Sequence, residues 1–220
     1  MEVAVLDMAG TTVAENGVVE RSFRAALERV GAPVPADLEQ RFRRLRGGSK
    51  RDMFAALLDG DRETAARAHA EFEKALAEHV SSGTVTALPH ATETMRRLRA
   101  LGLGVALVTG FGADTRDLLL ESLGWTDVVD LVLCSSDVRR ARPCPDLVLT
   151  AALELSATAM SRVAVVGDTV NDLLAGTNAG AGMVVGVLSG AHGVAELGRA
   201  PHTHLLPTIG ELPEVIDGGA

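Results

Sequence analysis

The sequence is short of cysteine, with only Cys134 and Cys144 in 220 residues. Two thiols do not make a disulfide framework, and their separation matches no metal-ligand pair. Both are read as reduced, one ending a strand and one in a loop. Positive charge is also in deficit: 21 Lys and Arg stand against 29 Asp and Glu, for a net charge of -8. A protein that binds nucleic acid over its whole surface would be basic, so that class is set aside. Apolar runs reach about six residues, far short of the roughly 20 that span a bilayer. No basic leader precedes an apolar stretch at the N-terminus, so a cytoplasmic protein is expected. Lysine is rare as well: Lys50 and Lys74 are the only two, and every other basic position is arginine.

What is present is ordinary for a globular chain. Apolar residues make up 47% and charged residues 23%, which excludes wholesale disorder. The length allows one large domain, or one domain with a small insert, and a core that needs no staples.

Short apolar, β-branched runs recur at Glu2–Leu6, Leu103–Val108, Val128–Leu133, Val163–Val166 and Met183–Val187. Between them, helical spacing is found at 91–101, 114–123, 146–155 (with Leu149 and Leu153) and 171–179. This alternation predicts an α/β fold with a parallel sheet covered on both faces. Residues 14–86 break the pattern. No strand is expected there. Helices are expected over 20–30, 37–45, 50–58 and 62–80, punctuated by Gly31-Ala-Pro-Val-Pro35, Gly47-Gly48 and Asp59-Gly60-Asp61. The expected organisation is a discontinuous core domain, 1–13 and 87–220, with a helical domain, 14–86, inserted after the first strand. Linkers near 13–19 and 81–88 would lie side by side and form a hinge. The tail 217–220 is expected to fray.

Ligands of such sheets bind beyond the carboxyl ends of the strands. The first strand ends at Asp7-Met-Ala-Gly-Thr-Thr12, the second at Thr109-Gly-Phe-Gly112, and a later one at Gly167-Asp-Thr-Val-Asn-Asp172. Any one such Asp could merely cap a turn. Three carboxylates, Asp7, Asp168 and Asp172, converging with no arginine among them, would repel each other. A hard divalent cation such as Mg²⁺ resolves that. Thr109 and Arg142, a hydroxyl and a fork of N–H donors, suit phosphoryl oxygens.

These pieces resemble the haloacid dehalogenase superfamily of Asp-nucleophile hydrolases. Asp7-Met-Ala-Gly-Thr11, Thr109, Arg142 and Gly167-Asp-Thr-Val-Asn-Asp172 stand in the family's order and spacing. The resemblance implies a Rossmann-like core and a mobile α-helical cap. Asp7 would be the nucleophile, and Mg²⁺ would be held by Asp7, the Ala9 carbonyl, Asp168 and Asp172. Thr109 and Arg142 would grip phosphoryl oxygens, with Thr11, Thr12, Gly110, Arg46 and Gly47 around the substrate. Two departures from the usual pattern are similar to the phosphonatase branch: Ala9 replaces the second Asp of the first motif, and Arg142 replaces a lysine. That branch uses a cap lysine as a Schiff base, and Gly47-Gly-Ser-Lys50 lies where it is expected. Arg46 and Met53 depart from the branch's own cap pattern, which has a Met and a His there, so a related 2-oxo-phosphonate stands beside phosphonoacetaldehyde as a substrate. The resemblance also allows a homodimer paired through the cap.

The chemistry of Lys50 fits this reading. A P–O leaving group needs a proton, whereas a P–C bond leaves a carbanion that an iminium can absorb as an enamine. Imine formation needs a neutral amine. Arg41, Arg43, Arg44, Arg46 and Arg51 surround Lys50 with no acid between 41 and 51, and like charge favours the neutral form. A lysine in the first turn of a helix is otherwise a solvated residue, and the basic run a wet helix face. Two other functions compete: a phosphomonoester phosphatase in which Lys50 only binds an anion, and a non-catalytic binder of a phospho-ligand. In each case the partner is a small phosphonate or phosphate ester, with no nucleic acid and no membrane.

Other patterns carry less. Gly47-Gly-Ser-Lys50 lacks the spacing of a phosphate-binding loop. His202 and His204 lack a third ligand. His69 and His79 are expected to be solvated on the long helix. Phe23, Phe42, Phe54 and Phe72 are expected to form the small core of the helical insert.

Overall fold

The computed structural model describes residues 1–14 and 16–218; residues 219 and 220, the end of the tail expected to fray, lie outside the described residues. Strand β1 (Val3–Asp7) is buried throughout because its side chains alternate between two cores. Val3 and Val5 enter one, Ala4 and Leu6 the other. A strand buried on both faces reads as a continuous apolar run, which is why the N-terminal segment was legible as a strand.

A two-residue strand β2 (Val13–Ala14) follows, then helices α1 (Val18–Arg29), α2 (Leu38–Leu45), α3 (Lys50–Leu57) and α4 (Arg62–Ser81), then β3 (Thr86–Ala87). The chain continues through α5 (Ala91–Ala100), β4 (Gly104–Thr109), α6 (Ala113–Leu123), β5 (Leu131–Cys134) and α7 (Asp146–Glu154). It ends with β6 (Val163–Gly167), α8 (Val170–Ala179), β7 (Met183–Val187), α9 (Val194–Leu197), β8 (His204–Leu206) and α10 (Leu212–Asp217). The main sheet is parallel, in the order β5-β4-β1-β6-β7-β8. This is the Rossmann-like α/β fold expected. The first strand is central, and the chain builds to one side of it before returning at β6 on the other. The carboxyl ends of β4, β1 and β6 therefore adjoin at the point where ligands bind in such sheets.

Three details differ from the sequence reading. The chain at 13–14 pairs antiparallel with 86–87, so the two connections to the helical segment contain a short ribbon where no strand was expected. Two-residue strands are too short to show a period. The strand expected to begin at Val128 begins at Leu131. Val128 is still in the turn that donates its N–H to the Trp125 carbonyl, and Asp130 brackets the N–H and C=O of Val105. On α7, Leu147, Val148, Ala151 and Ala152 face the core, while Leu149 and Leu153 point outward, Leu153 with 79% exposure. Apolar residues occupy both stripes of this helix, so periodicity could not choose between them.

The helical segment has its own aromatic centre. Phe23 of α1 stacks on Phe54 of α3 with centroids 4.2 Å apart, and meets Phe42 of α2 and Phe72 of α4 at 5.0 and 4.7 Å. One ring from each helix fixes the four against one another. The cluster is continuous with the core on one face of the main sheet.

Candidate active site

Asp7 is the last residue of β1 and Thr109 the last of β4, and the two strands pair in register with Asp7 opposite Val108. Asp168 follows β6 directly, and Asp172 sits in the first turn of α8. Sheet pairing thus gathers side chains from distant parts of the chain at one rim. One oxygen each of Asp7, Asp168 and Asp172 lies within 4.8 Å of the others, and all three residues are buried.

The arginine absent from the sequence picture of this cluster is here. Nη1 of Arg142 donates to Oδ1 of Asp7 at 2.5 Å and also to Oδ1 of Asp172. Its Nε is buried without a hydrogen-bond partner. The loop between β5 and α7 carries Arg142, and nothing in sequence spacing tells how far that loop reaches. The remaining oxygens are used locally. Asp172 Oδ2 accepts from the N–H and hydroxyl of Thr169, closing a capping box on α8. Asp168 accepts from the Ala191 N–H at 2.6 Å and from the Thr11 hydroxyl at 3.4 Å.

One guanidinium does not neutralise three buried carboxylates. Burial raises the Asp7 pKa to about 7; Arg142 opposes this, while Asp172 and Asp168 add to it. Burial raises Asp168 to about 6, with Asp172 adding and the Ala191 N–H and Arg46 opposing. Burial works against the Arg142 charge, but Asp172 and Asp7 outweigh it and raise its pKa. Carboxylates held partly protonated at neutral pH, with oxygens this close, fit a hard divalent cation.

A narrow pocket of about 20 Å³, room for little more than a water molecule, lies over this cluster. Asp7, Ala9, Thr109, Arg142 and Asp168 line its floor; Arg46, Gly47, Lys50 and Gly110 line its other side. Thr11 and Thr12 are placed otherwise than expected. Neither lines the pocket: the Thr11 hydroxyl goes to Asp168 and that of Thr12 to the Asp7 and Met8 carbonyls. They hold the loop after β1 instead of facing a ligand.

Lys50 opens α3, with Ser49 as its N-cap, and is 7% exposed. Its Nζ stands 5.0 Å from the centroid of the Phe111 ring, a cation–π contact. Its pKa is lowered to about 8, by burial first and then by Arg46 and Arg142, with Asp7 and Glu73 opposing. The sequence reading attributed such a shift to neighbouring arginines alone; burial is the larger cause. Arg46 itself lies near the ring of Phe42, at 5.2 Å.

The seam between the helical segment and the sheet is closed by backbone contacts. The Lys50 N–H donates to the Gly110 carbonyl at 3.3 Å, and Asn171 Nδ2 donates to the Arg46 carbonyl at 2.7 Å. A Cβ at position 110 would lie 2.4 Å from the Gly48 oxygen, so only glycine permits this approach. Arg43 and Glu196 form a two-pronged exposed pair at 2.9 and 2.7 Å, and His192 links the Val170 N–H to the Arg43 carbonyl. His192, Glu196 and Phe111 had no sequence signal, since each acts through a contact distant in the chain. His69 is not solvated as expected: its side chain is 21% exposed and lies 3.4 Å from Glu73, beside the aromatic cluster.

Comparison with known proteins now decides the lineage. Residues 1–180 match the model of the haloacid dehalogenase-like hydrolases. The chain belongs to that family. Members of that family are hydrolases that generally use Mg²⁺, which the acidic cluster fits. Over 115 residues the chain is 33% identical to a bifunctional phosphonoacetaldehyde hydrolase/aminoethylphosphonate transaminase of Clostridioides difficile, covering 51% of this chain but only 18% of that protein. It is 25% identical to a phosphoglycolate phosphatase of Neisseria meningitidis over 99% of this chain and 93% of that one. Among solved structures, a hydrolase from Pseudomonas syringae superposes with a TM-score of 0.87 at 26% identity, each chain fully covered. A phosphonoacetaldehyde hydrolase-like protein from Oleispira antarctica shares the fold, with a TM-score of 0.83 at 21% identity over 99% of this chain and 91% of that one. Among the described residues, no helix is long and apolar enough to cross a membrane.

Proposed function

We propose that this hydrolase cleaves the C–P bond of a 2-oxo-phosphonate, using Asp7 as nucleophile and Lys50 as a Schiff base. The observation that carries this reading is the position of Lys50: a buried amine of lowered pKa shares one small pocket with Asp7, Thr109 and Arg142. A surface lysine would lie elsewhere.

The neutral Lys50 amine adds to the 2-oxo carbon, and loss of water leaves a protonated imine. The Asp7 carboxylate then attacks phosphorus. The P–C bond breaks, and its electron pair moves into the imine to form an enamine, so no anionic carbon has to be solvated. Water attacks the phosphorus of the aspartyl phosphate, releasing phosphate and restoring Asp7. The enamine is protonated on carbon and hydrolysed, which frees the carbonyl product and Lys50. Arg142 orients Asp7 through Nη1, and its buried, unpartnered Nε supplies a donor for a phosphoryl oxygen. Thr109 adds a hydroxyl. Asp7, Asp168 and the Ala9 carbonyl, with Asp172 direct or through water, would hold Mg²⁺, which when bound offsets repulsion between Asp7 and a dianionic substrate. The helical segment, residues 14–86, acts as a cap whose closure excludes water and delivers Lys50.

The full-length similarity to a phosphoglycolate phosphatase favours a second reading, hydrolysis of a phosphomonoester in which Lys50 binds an anionic group. The test is phosphate release from phosphonoacetaldehyde, longer 2-oxo-phosphonates and sugar phosphates, followed by borohydride trapping and peptide mapping. A substrate-dependent adduct on Lys50, with near-total loss of activity in Lys50→Arg, is expected. Efficient turnover of p-nitrophenyl phosphate, no adduct and only mild loss in Lys50→Arg would establish the phosphatase instead. Asp7→Asn abolishes release in either case.

A further inference from the structure

The loop from Thr109 to Gly112 contacts Lys50 and lines the pocket beside Asp7 and Arg142. At its start, Gly110 accepts the Lys50 N–H, and Phe111 lies beneath the Lys50 ammonium. At its end, the loop enters α6 at Gly112, an N-cap residue with no side chain to satisfy the first turn. The helical segment supplies an acceptor at this end of the helix. Glu73, on α4, accepts the Gly112 N–H through Oε1 at 3.3 Å and the Thr115 hydroxyl through Oε2. Thr115 is 2% exposed, and this is the hydrogen bond its hydroxyl makes.

We infer that Glu73 is a positioning residue that latches the helical segment to the core, capping α6 from the other side of the seam and thereby fixing Lys50 over Thr109. Several features make this contact more than surface pairing. The carboxylate is largely withdrawn from solvent, its side chain 20% exposed. It meets the positive end of an eleven-residue helix, where a negative charge is favoured. Opening the seam would take this acceptor from both the Gly112 N–H and the buried Thr115 hydroxyl. Position 112 is also shaped for it. A Cβ there would stand 3.2–3.3 Å from the Glu73 carboxyl atoms, although the backbone at Gly112, with φ -78° and ψ 170°, accepts any residue. His69, one turn earlier on the same helix, lies 3.4 Å from the same Oε1. Both ends of the loop are thus tied to the helical segment, at Gly110 by Lys50 and at Gly112 by Glu73. Release at either end frees the other.

This inference rests on the proposed closure of the helical segment, and it holds whether Lys50 forms an imine or only binds an anion. The experiment compares Glu73→Ala, Glu73→Gln, Gly112→Ala and Thr115→Val in the full chain with Mg²⁺. Phosphate release is measured on the substrate identified by screening, and amide exchange over residues 110–118 is measured without substrate. Glu73→Ala is expected to speed exchange in that segment and to lower kcat/KM on the order of ten- to a hundredfold, as for sub-ångström misplacement of a catalytic group. Glu73→Gln, which keeps an oxygen for Gly112, restores most of the rate. Gly112→Ala reproduces part of the loss without backbone strain, and the effects of Glu73→Ala and Thr115→Val are less than additive. Unchanged exchange, a kcat/KM within twofold of the parent, no recovery in Glu73→Gln, or full additivity would overturn the latch. Exchange needs no turnover, so a failure of the catalytic reading and a failure of the latch are told apart.

Discussion

Arg142 and Asp7 form a buried ion pair at 2.5 Å, with side chains 4% and 6% exposed. They stand 135 positions apart in the chain. A pair this deep does not stabilise the fold by charge alone, because desolvating both partners offsets most of their attraction. What it does well is hold a direction: Nη1 fixes the Asp7 carboxylate, while the buried Nε has no hydrogen-bond partner.

Replacing that fork with a point charge tests the geometry. Arg142→Lys keeps the positive charge but loses the planar fork, so no donor is left at the separate position that Nε holds. We expect kcat/KM to fall about 10²- to 10³-fold, the size seen when one transition-state donor is removed. Circular dichroism should show the fold retained.

The raised pKa values of Asp7 and Asp168, about 7 and about 6, set a pH dependence of stability without metal. The fold favours the protonated acids, so their contribution is complete below the ordinary carboxylate range and is lost as pH rises through 6 to 7. Protons and a cation compete for the same oxygens. Mg²⁺ should therefore raise the melting temperature more at pH 8 than at pH 5.5. At a hundredfold excess over Kd, about 2.7 kcal/mol is gained, or very roughly 5–10 °C for a chain of this size. Scanning fluorimetry with Mg²⁺ or a chelator at the two pH values measures it; equal shifts would count against a carboxylate-held ion.

Lys50 titrates in the opposite sense. Its pKa lies near 8, below the ordinary 10.5, so the amine becomes neutral as pH rises through 8. The rate of borohydride trapping with a 2-oxo-phosphonate should rise with pH and reach half its maximum near that value. Its stability contribution is present above about 10.5 and lost as pH falls through 8. A trapping rate independent of pH between 6.5 and 9 would contradict the assignment.

The seam depends on the absence of a side chain at position 110, since a Cβ would press on the Gly48 carbonyl. Gly110→Ala should lower stability by about 1–3 kcal/mol, the usual cost of overpacking. It should lower kcat/KM about tenfold or more, because Lys50 is held off its position. Steady-state kinetics alongside a melting curve separates the two effects.

Phe23 is the centre of the aromatic cluster and is fully buried. Phe23→Ala should cost about 3–5 kcal/mol, the usual cost of emptying a buried ring site. Denaturant unfolding measures the loss.

Much of this was legible in the chain itself. Runs buried on both faces declare themselves as strands without any alternation, so β1, β4, β6 and β7 could be placed to within a residue or two. The rim residues could be named because strands that end in Asp or Thr at a parallel sheet must present them together. Local spacing could not reveal which residues answer them across the seam. Glu73 looks like any acid on a long helix, and Arg142 looked like a substrate ligand only. Leu149 and Leu153 formed a valid stripe that the fold did not use.

The sequence by itself determined the order of elements, the carboxylates at the rim and the lysine that opens a helix of the insert, because period, strand ends and composition are local properties. The tertiary structure alone decided that Arg142 bridges Asp7 and Asp172, that burial dominates the shift of Lys50, and that Glu73 accepts the Gly112 N–H at the start of a helix to which it does not belong. Those are consequences of distance and desolvation between residues far apart in the chain, and no one-dimensional pattern encodes either.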